Sequence, residues 1–148
     1  QSLKQTAPES LYEFIAQYIK TSMVIPGLSY KLQDSDKPFE CVFNPISIGI
    51  ILDNIASNSI KARANNLTIA LREDTSFVYI SFRDNGIGLN PNIDVNSLFE
   101  YGISLNSMQK GFGIGLNQIK ELAEEMGGDA KINEAYEEGF EIEVSIRK

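Results

Sequence analysis

Between Leu11 and Arg147 the spacing of apolar residues switches repeatedly between a helical and a strand period, and the order of those switches restricts the fold more than any other feature. Leu11, Phe14, Ile15, Tyr18 and Ile19 recur at helical spacing in a segment opened by Pro8-Glu9 and ended by Pro26-Gly27. Short strands are expected over 28–32 and 39–43. Asn44 reads as an N-cap with Pro45 at the first helical position, so a second helix should run over 45–64 and stop at Asn65-Asn66. Strands over 67–72 and 77–83 follow, then a middle rich in Gly, Asn and Ser. Leu116, Ile119, Leu122, Ala123 and Met126 mark a further helix closed by Gly127-Gly128. Strands over 129–133 and 140–147 end the chain as a hairpin. That order predicts an α/β (α+β) two-layer sandwich, with helices on one face of a mixed β-sheet, and not a run of βαβ units. In the last strand Glu141, Glu143 and Ser145 alternate with Phe140, Ile142, Val144 and Ile146, so the other sheet face is expected to be solvent-exposed.

The 148 residues, 43% of them apolar, suffice for one buried core and not for two ordinary domains, so 1–148 is expected to be a single domain. A net charge of −7 argues against nucleic acid as a direct partner. Any bound phosphate must then be held locally, by backbone amides, a few cations or a metal. The chain has no histidine, which removes the usual zinc ligands and the commonest general base, and its lone Cys41 cannot form an internal disulfide. No apolar run approaches the roughly 18 residues that span a bilayer, so no membrane contact by this piece is expected. Because it begins at Gln1, the chain is expected to be a C-terminal fragment of a longer protein, with any targeting or membrane segment elsewhere.

Three stretches carry chemistry. In "ILDNIASNSIKARA", Asn54, Asn58 and Lys61 fall on one helix face, and asparagine is a poor residue for a helix interior. Taken alone, a solvated face explains them. In "RDNGIGL", Asp84-Asn85-Gly86-Ile87-Gly88 follows a strand pattern, and alone it reads more readily as a hairpin turn than as a ligand site. In "KGFGIGLNQIK", Gly111, Gly113 and Gly115 alternate directly before a helix, where close backbone approach and free N–H groups suit a phosphate about as well as a flexible loop explains them. The pattern is neither a dinucleotide fingerprint nor a P-loop.

In this order and spacing, Asn58, then Asp84-x-Gly86-x-Gly88, then Gly111-x-Gly113-x-Gly115-Leu116 resemble the ATP site of the GHKL superfamily: gyrase, the ninety-kilodalton heat-shock chaperone, histidine kinases and MutL. "FNPISIGIILDNIASNSIKA", "LFEYGIS" and "GFGIGLNQIKELAEEMGGDAKI" look most like the catalytic domain of sensor histidine kinases. The resemblance implies a Bergerat-type ATP-binding fold with Phe99 in the F box and 90–110 as the ATP lid. It implies that Asp84 accepts a hydrogen bond from the adenine amino group, that Gly86, Ile87 and Gly88 run under the base, and that Asn58 ligates Mg²⁺ through its amide oxygen. Lys61, with Ala62 beside it, would lie near the nucleotide, and Lys110, Gly111, Gly113, Ile114, Gly115 and Leu116 would line its phosphate end. By the same resemblance Asn54, Asn58 and Lys61 are the expected catalytic set.

Departures from the pattern are informative. Many histidine kinases carry Ser/Thr-Thr-Lys after the F box; here the stretch is Ser104-Leu105-Asn106-Ser107, leaving Lys110 as the stand-in cation. MutL-like and chaperone ATPases place a water-activating glutamate four residues before the N-box asparagine, and this chain has Asn54 there, with Asp53 beside it but about 100° around the helix. An amide takes no proton. The resemblance therefore implies a kinase: an ATP- and Mg²⁺-binding catalytic domain that passes the γ-phosphoryl to a histidine on a separate dimerisation domain, upstream in the same protein, for onward transfer to a response regulator. Its expected location is the cytoplasm, whether or not the parent protein is membrane-anchored. "NSIKARANNLTI" is also similar to the gyrase, chaperone and MutL branch, so an ATPase module of a larger cytoplasmic protein is the alternative.

Overall fold

The structure, a computed structural model, describes residues 7–100 and 112–148, with side chains of the last helix from Gly115 onward. A five-stranded mixed sheet in the order β2-β4-β5-β7-β6 forms one layer. Its strands are β2 (Ser29–Leu32), β4 (Asn66–Glu73), β5 (Phe77–Asp84), β6 (Asp129–Ile132) and β7 (Glu141–Arg147). β2 runs parallel to β4, and the remaining neighbours are antiparallel. Helices α1 (Leu11–Thr21), α2 (Pro45–Lys61) and α3 (Phe112–Glu125) form the second layer. Ile51, Leu52 and Ile55 of α2 and Leu116, Ile119 and Ala123 of α3 share one buried cluster with Ile69, Ile80, Phe82, Ile142 and Val144 of the sheet. The two-layer α/β sandwich expected from the sequence is the fold observed.

Several boundaries moved, each for a local reason. The first helix opens at Leu11 and not at Pro8-Glu9, because the Ser10 hydroxyl accepts from the Glu13 N–H (3.0 Å) as its cap. Glu9–Ser10 instead forms β1, paired antiparallel with β3 (Glu40–Cys41), and only these two residues of the strand expected over 39–43 are paired. Asn44 caps α2 as expected, accepting from the Ile46 N–H (3.0 Å) and the Ser47 N–H (3.4 Å). α2 stops at Lys61, short of position 64, because Arg63 turns left-handed at φ 64°. There the Ala64 N–H donates to the Ser59 carbonyl and the Arg63 N–H to the Ile60 carbonyl, both at 2.9 Å, the paired bonds of a Schellman end.

The outer face of the sheet is polar but not simply solvated. Arg72 pairs with Glu143 (3.0 Å) and Arg83 with Glu141 (3.1 Å). Glu141, only 7% exposed, also accepts from the Asn133 side-chain amide (2.7 Å), so the expectation of open solvent there fails at that residue. A central strand brings cross-strand cations over its carboxylates.

Candidate functional site

α2 and α3 pack against each other at the asparagine face. A Cβ placed on Gly115 would lie 3.7 Å from Asn58 Oδ1 and 3.8 Å from Asn54 Oδ1, so the absence of a side chain leaves a methyl-sized gap against both amides. Asn54 donates its side-chain N–H to Gln118 Oε1 (2.9 Å). Asn58 is 5% exposed, and its Nδ2 has no partner among the described residues. A buried amide donor left unpaired costs about 1–3 kcal/mol, which a solvated helix face does not require. Rotation of the amide exchanges its donor and acceptor ends, so the same group suits a phosphate oxygen or, through Oδ1, a divalent cation. Lys61 is exposed at the end of α2.

Asp84 ends β5 with 4% of its surface exposed. Its Oδ2 accepts from the Ser59 hydroxyl (3.0 Å), and its Oδ1 accepts from the backbone N–H groups of Gly86 (2.9 Å) and Phe140 (3.1 Å). A carboxylate offers about four lone-pair directions, so one remains on Oδ2 for an external donor. The Tyr136 hydroxyl donates to the Asp84 carbonyl (3.4 Å). Burial, then Glu138, push the Tyr136 phenol up, with Arg83 opposing.

The Asp84–Gly88 stretch is not a hairpin turn, since β5 pairs on one side with β4 before it and on the other with the distant β7. Asn85 instead ties the stretch to the end of α2: its Oδ1 accepts from the Asn65 N–H (3.0 Å) and the Asn66 N–H (3.1 Å). Gly86 lies against Ala62, where a Cβ would come within 2.7 Å of the Ala62 carbonyl oxygen. The Ile87 N–H donates to that same oxygen (2.9 Å), and Ala62 is buried. Gly88 is left-handed (φ 74°), and a Cβ there would meet the Gly139 carbonyl oxygen at 2.8 Å. Ile87 is 65% exposed.

The phosphate-loop expectation needs one correction. α3 begins at Phe112, so Gly113 and Gly115 lie inside its opening turn, not in a loop before it. The first N–H groups of a helix have no intrahelical acceptor, so the anion-binding logic survives the shift. Leu116 is fully buried in the core. Lys110 and Gly111, and the 101–110 part of the lid, lie outside the described residues, as does the side chain of Ile114. Phe99 closes a 3-10 turn (Val95–Phe99) and is clamped to α3: Asn117 Nδ2 donates to its carbonyl (2.8 Å), and the Lys120 ammonium stands 5.1 Å from its ring centre. Lys120 is itself held by Asp129 and Glu124.

The acidic neighbour of Asn54 points away from the asparagine face. Asp53 faces α1, where both carboxylate oxygens accept from the Tyr18 hydroxyl at 3.0 Å. Burial and this bond push the Tyr18 phenol up. Glu100 is exposed just past the 3-10 turn. Residues that the sequence did not single out complete the site: Ser59, Gln118, Asn117, Tyr136 and Phe140. Ser59 and Asp84 are 25 positions apart, and no local spacing announces such a contact.

The sandwich thus carries a buried acid at the end of a central strand and a buried amide, unpaired among the described residues, facing the opening turn of a helix. The chain belongs to the histidine kinase-, DNA gyrase B- and HSP90-like ATPase family, whose model matches residues 43–148. It is 35% identical over 121 residues to the sensor histidine kinase GacS of Pseudomonas protegens, an overlap of 75% of this chain and 13% of that protein. It is 36% identical over 87 residues to the sensor histidine kinase WalK of Bacillus subtilis, covering 53% of this chain and 14% of that one. The chain thus spans a small part of the curated relatives it matches. Its fold is that of the ATP-binding domain of PrrB from Mycobacterium tuberculosis (TM-score 0.75, 18% identity, covering 99% of this chain and 98% of that one). The catalytic domain of histidine kinase ThkA is similar to the same degree (TM-score 0.77, 18% identity, 97% of each chain). Among the described residues no helix is long and apolar enough to cross a membrane.

Proposed function

We propose that 1–148 is one domain that binds ATP with Mg²⁺ and donates the γ-phosphoryl group to a histidine on a separate dimerisation domain of the same protein, for relay to a response regulator. The observation that carries the kinase reading is the lack of a base at the N box. Asn54 stands where a hydrolytic glutamate would, and its amide is bound to Gln118, while Asp53 is held by Tyr18. A kinase needs only to position the phosphoryl group for an outside nucleophile.

In this reading Asp84 takes the adenine amino group on its remaining lone pair, and Gly86, Ile87 and Gly88 pass beneath the base. Asn58 is the protein's ligand for Mg²⁺, supported by its orphaned amide against the gap at Gly115. Bound Mg²⁺ would neutralise phosphate charge and leave most of its coordination to water and phosphate oxygens. Lys61, next to Ala62, and Lys110 add positive charge near the phosphates. Gly113, Ile114, Gly115 and Leu116, in the opening turn of α3, would face them, with Gly111 just before in the sequence. Phe99, clamped by Asn117 and Lys120, holds the 90–100 part of the 90–110 lid to α3. The domain works in the cytoplasm, where ATP is supplied.

With no histidine of its own, the chain has a donor site without an acceptor. Incubated with γ-labelled ATP and Mg²⁺ it should gain no acid-labile phosphate and release inorganic phosphate only slowly. Adding the dimerisation domain separately, at high concentration, should place label on that domain's histidine. Rapid hydrolysis by the chain alone would favour the ATPase reading instead, with Asp53 or Glu100 as the base.

A further inference from the structure

The loop that follows Asp84 and the turn between β6 and β7 enclose a cavity of about 450 Å³ that is separate from the asparagine face of α2. Leu89, Pro91, Ile93 and Val95 form one wall, and Tyr136 and Phe140 the other. Asn58, Asp84 and Gly115 do not line it; Ile87 and Gly88 are the wall it shares with the nucleotide site. The volume lies in the range of small-ligand and side-chain pockets.

The charge around it is one-sided. Positions 133–141 hold four glutamates and no lysine or arginine. Glu141 is neutralised by Arg83 and bound by Asn133. Glu134 and Glu137 also line the cavity; they are exposed and make no ion pair among the described residues. Among the described residues no lysine or arginine lines the cavity; Arg83, held by Glu141, stands outside it, 5.3 Å from the Tyr136 ring centre. A mixed lining, in which aliphatic and aromatic side chains alternate with amides and unneutralised carboxylates, matches a long cationic side chain, whose methylene stem is apolar and whose head is charged. Ile87, 65% exposed at the edge of the cavity, offers a contact to an aliphatic neighbour of that side chain. A second copy of this chain, with its own charge of −7, is electrostatically the wrong occupant.

We propose that this cavity is a docking site for a short segment of a partner protein, a lysine or arginine flanked by aliphatic residues. Occupancy is coupled to the nucleotide site, because the turn that forms its far wall also holds Asp84, through the Phe140 N–H and the Tyr136 hydroxyl. The coupling, unlike the docking, rests on the ATP reading above.

The test uses the whole chain, isotope-labelled for amide NMR at low salt, and the capped tripeptide Leu-Arg-Leu, with Leu-Gln-Leu as its neutral match. Saturable shifts confined to 87–95 and 133–141 are expected with the arginine peptide. Binding should weaken by about three- to tenfold for the glutamine peptide, and likewise for the arginine peptide on the surface double variant Glu134→Gln/Glu137→Gln. Shifts that are absent, scattered over the surface, or equal for both peptides would show an ordinary solvated acidic turn and overturn the proposal. Saturating peptide should then change ATP affinity by about fivefold, and ATP should change peptide affinity by the same factor. An unchanged ATP affinity with peptide bound overturns the coupling alone. If ATP does not bind at all, the nucleotide reading fails while the shift map still decides the docking site.

Discussion

Gly86 and Gly115 both belong to the candidate nucleotide site, but different neighbours require each of them to be glycine. A methyl group on Gly86 would collide with the carbonyl oxygen and Cβ of Ala62, at 2.7 and 2.8 Å, both part of a packed helix end. Gly86→Ala should therefore cost about 1–3 kcal/mol of stability, read as a lower denaturation midpoint with or without nucleotide. At Gly115 the same methyl group would meet nothing nearer than 3.7 Å, an ordinary contact. Gly115→Ala should leave the fold intact, or gain about 0.5–1 kcal/mol from helix propensity. If the gap over Asn58 admits phosphate and metal, calorimetry on that variant should show ATP binding weakened by about tenfold or more in the presence of Mg²⁺. Wild-type affinity would remove the gap from the site. Asp84 combines both roles. Asp84→Asn should weaken ATP by roughly ten- to a hundredfold, and because three internal donors point at the carboxylate it should also lower stability by about 1–3 kcal/mol.

The end of α2 makes its own prediction. Arg63 holds a left-handed conformation (φ 64°) that costs a non-glycine residue about 1–2 kcal/mol, and it is exposed. Arg63→Gly removes that strain at the expense of a more flexible unfolded chain. The net effect should be a stabilisation of about 0.5–1 kcal/mol, measurable by urea unfolding, with nucleotide binding unchanged. A loss of stability would mean that the arginine side chain contributes more than its backbone costs. Element identity was readable from periodicity here, and element ends were readable only where the cap is a local side chain. Asn44-Pro45 announced the start of α2 because the asparagine oxygen reaches N–H groups two and three residues on. Asn65-Asn66 announced its end too late, since the left-handed position is taken by Arg63, an unusual choice there. Gly113 and Gly115 misled in the opposite sense: glycine argues for a loop on propensity, yet the packing of Leu116 and Ile119 into the core carries the helix back to Phe112.

Across the whole molecule, Cys41 reports on the integrity of the packed layers. It is 2% exposed in the two-stranded β1–β3 ribbon, and burial pushes its thiol up to about 11. In the folded chain near pH 8 it should react with a thiol reagent far more slowly than a free cysteine, and reach the free rate only in denaturant. Prompt reaction under native conditions would show that the ribbon opens locally. What the amino-acid sequence determined by itself was whatever depends on near neighbours: the order of helices and strands, the mixed-sheet sandwich, the capped start of α2, and three polar stretches whose order matches one family. What only the tertiary structure decided were contacts between positions far apart in the chain. Among these are Ser59 on Asp84, Asn54 on Gln118, Tyr18 on Asp53, Ala62 beneath Gly86, and the cavity between the loop after Asp84 and the β6–β7 turn. The physical reason is that periodicity and capping act over one or two turns of chain. A hydrogen bond across 25 or 64 residues instead depends on how the layers pack, and no local pattern encodes that packing.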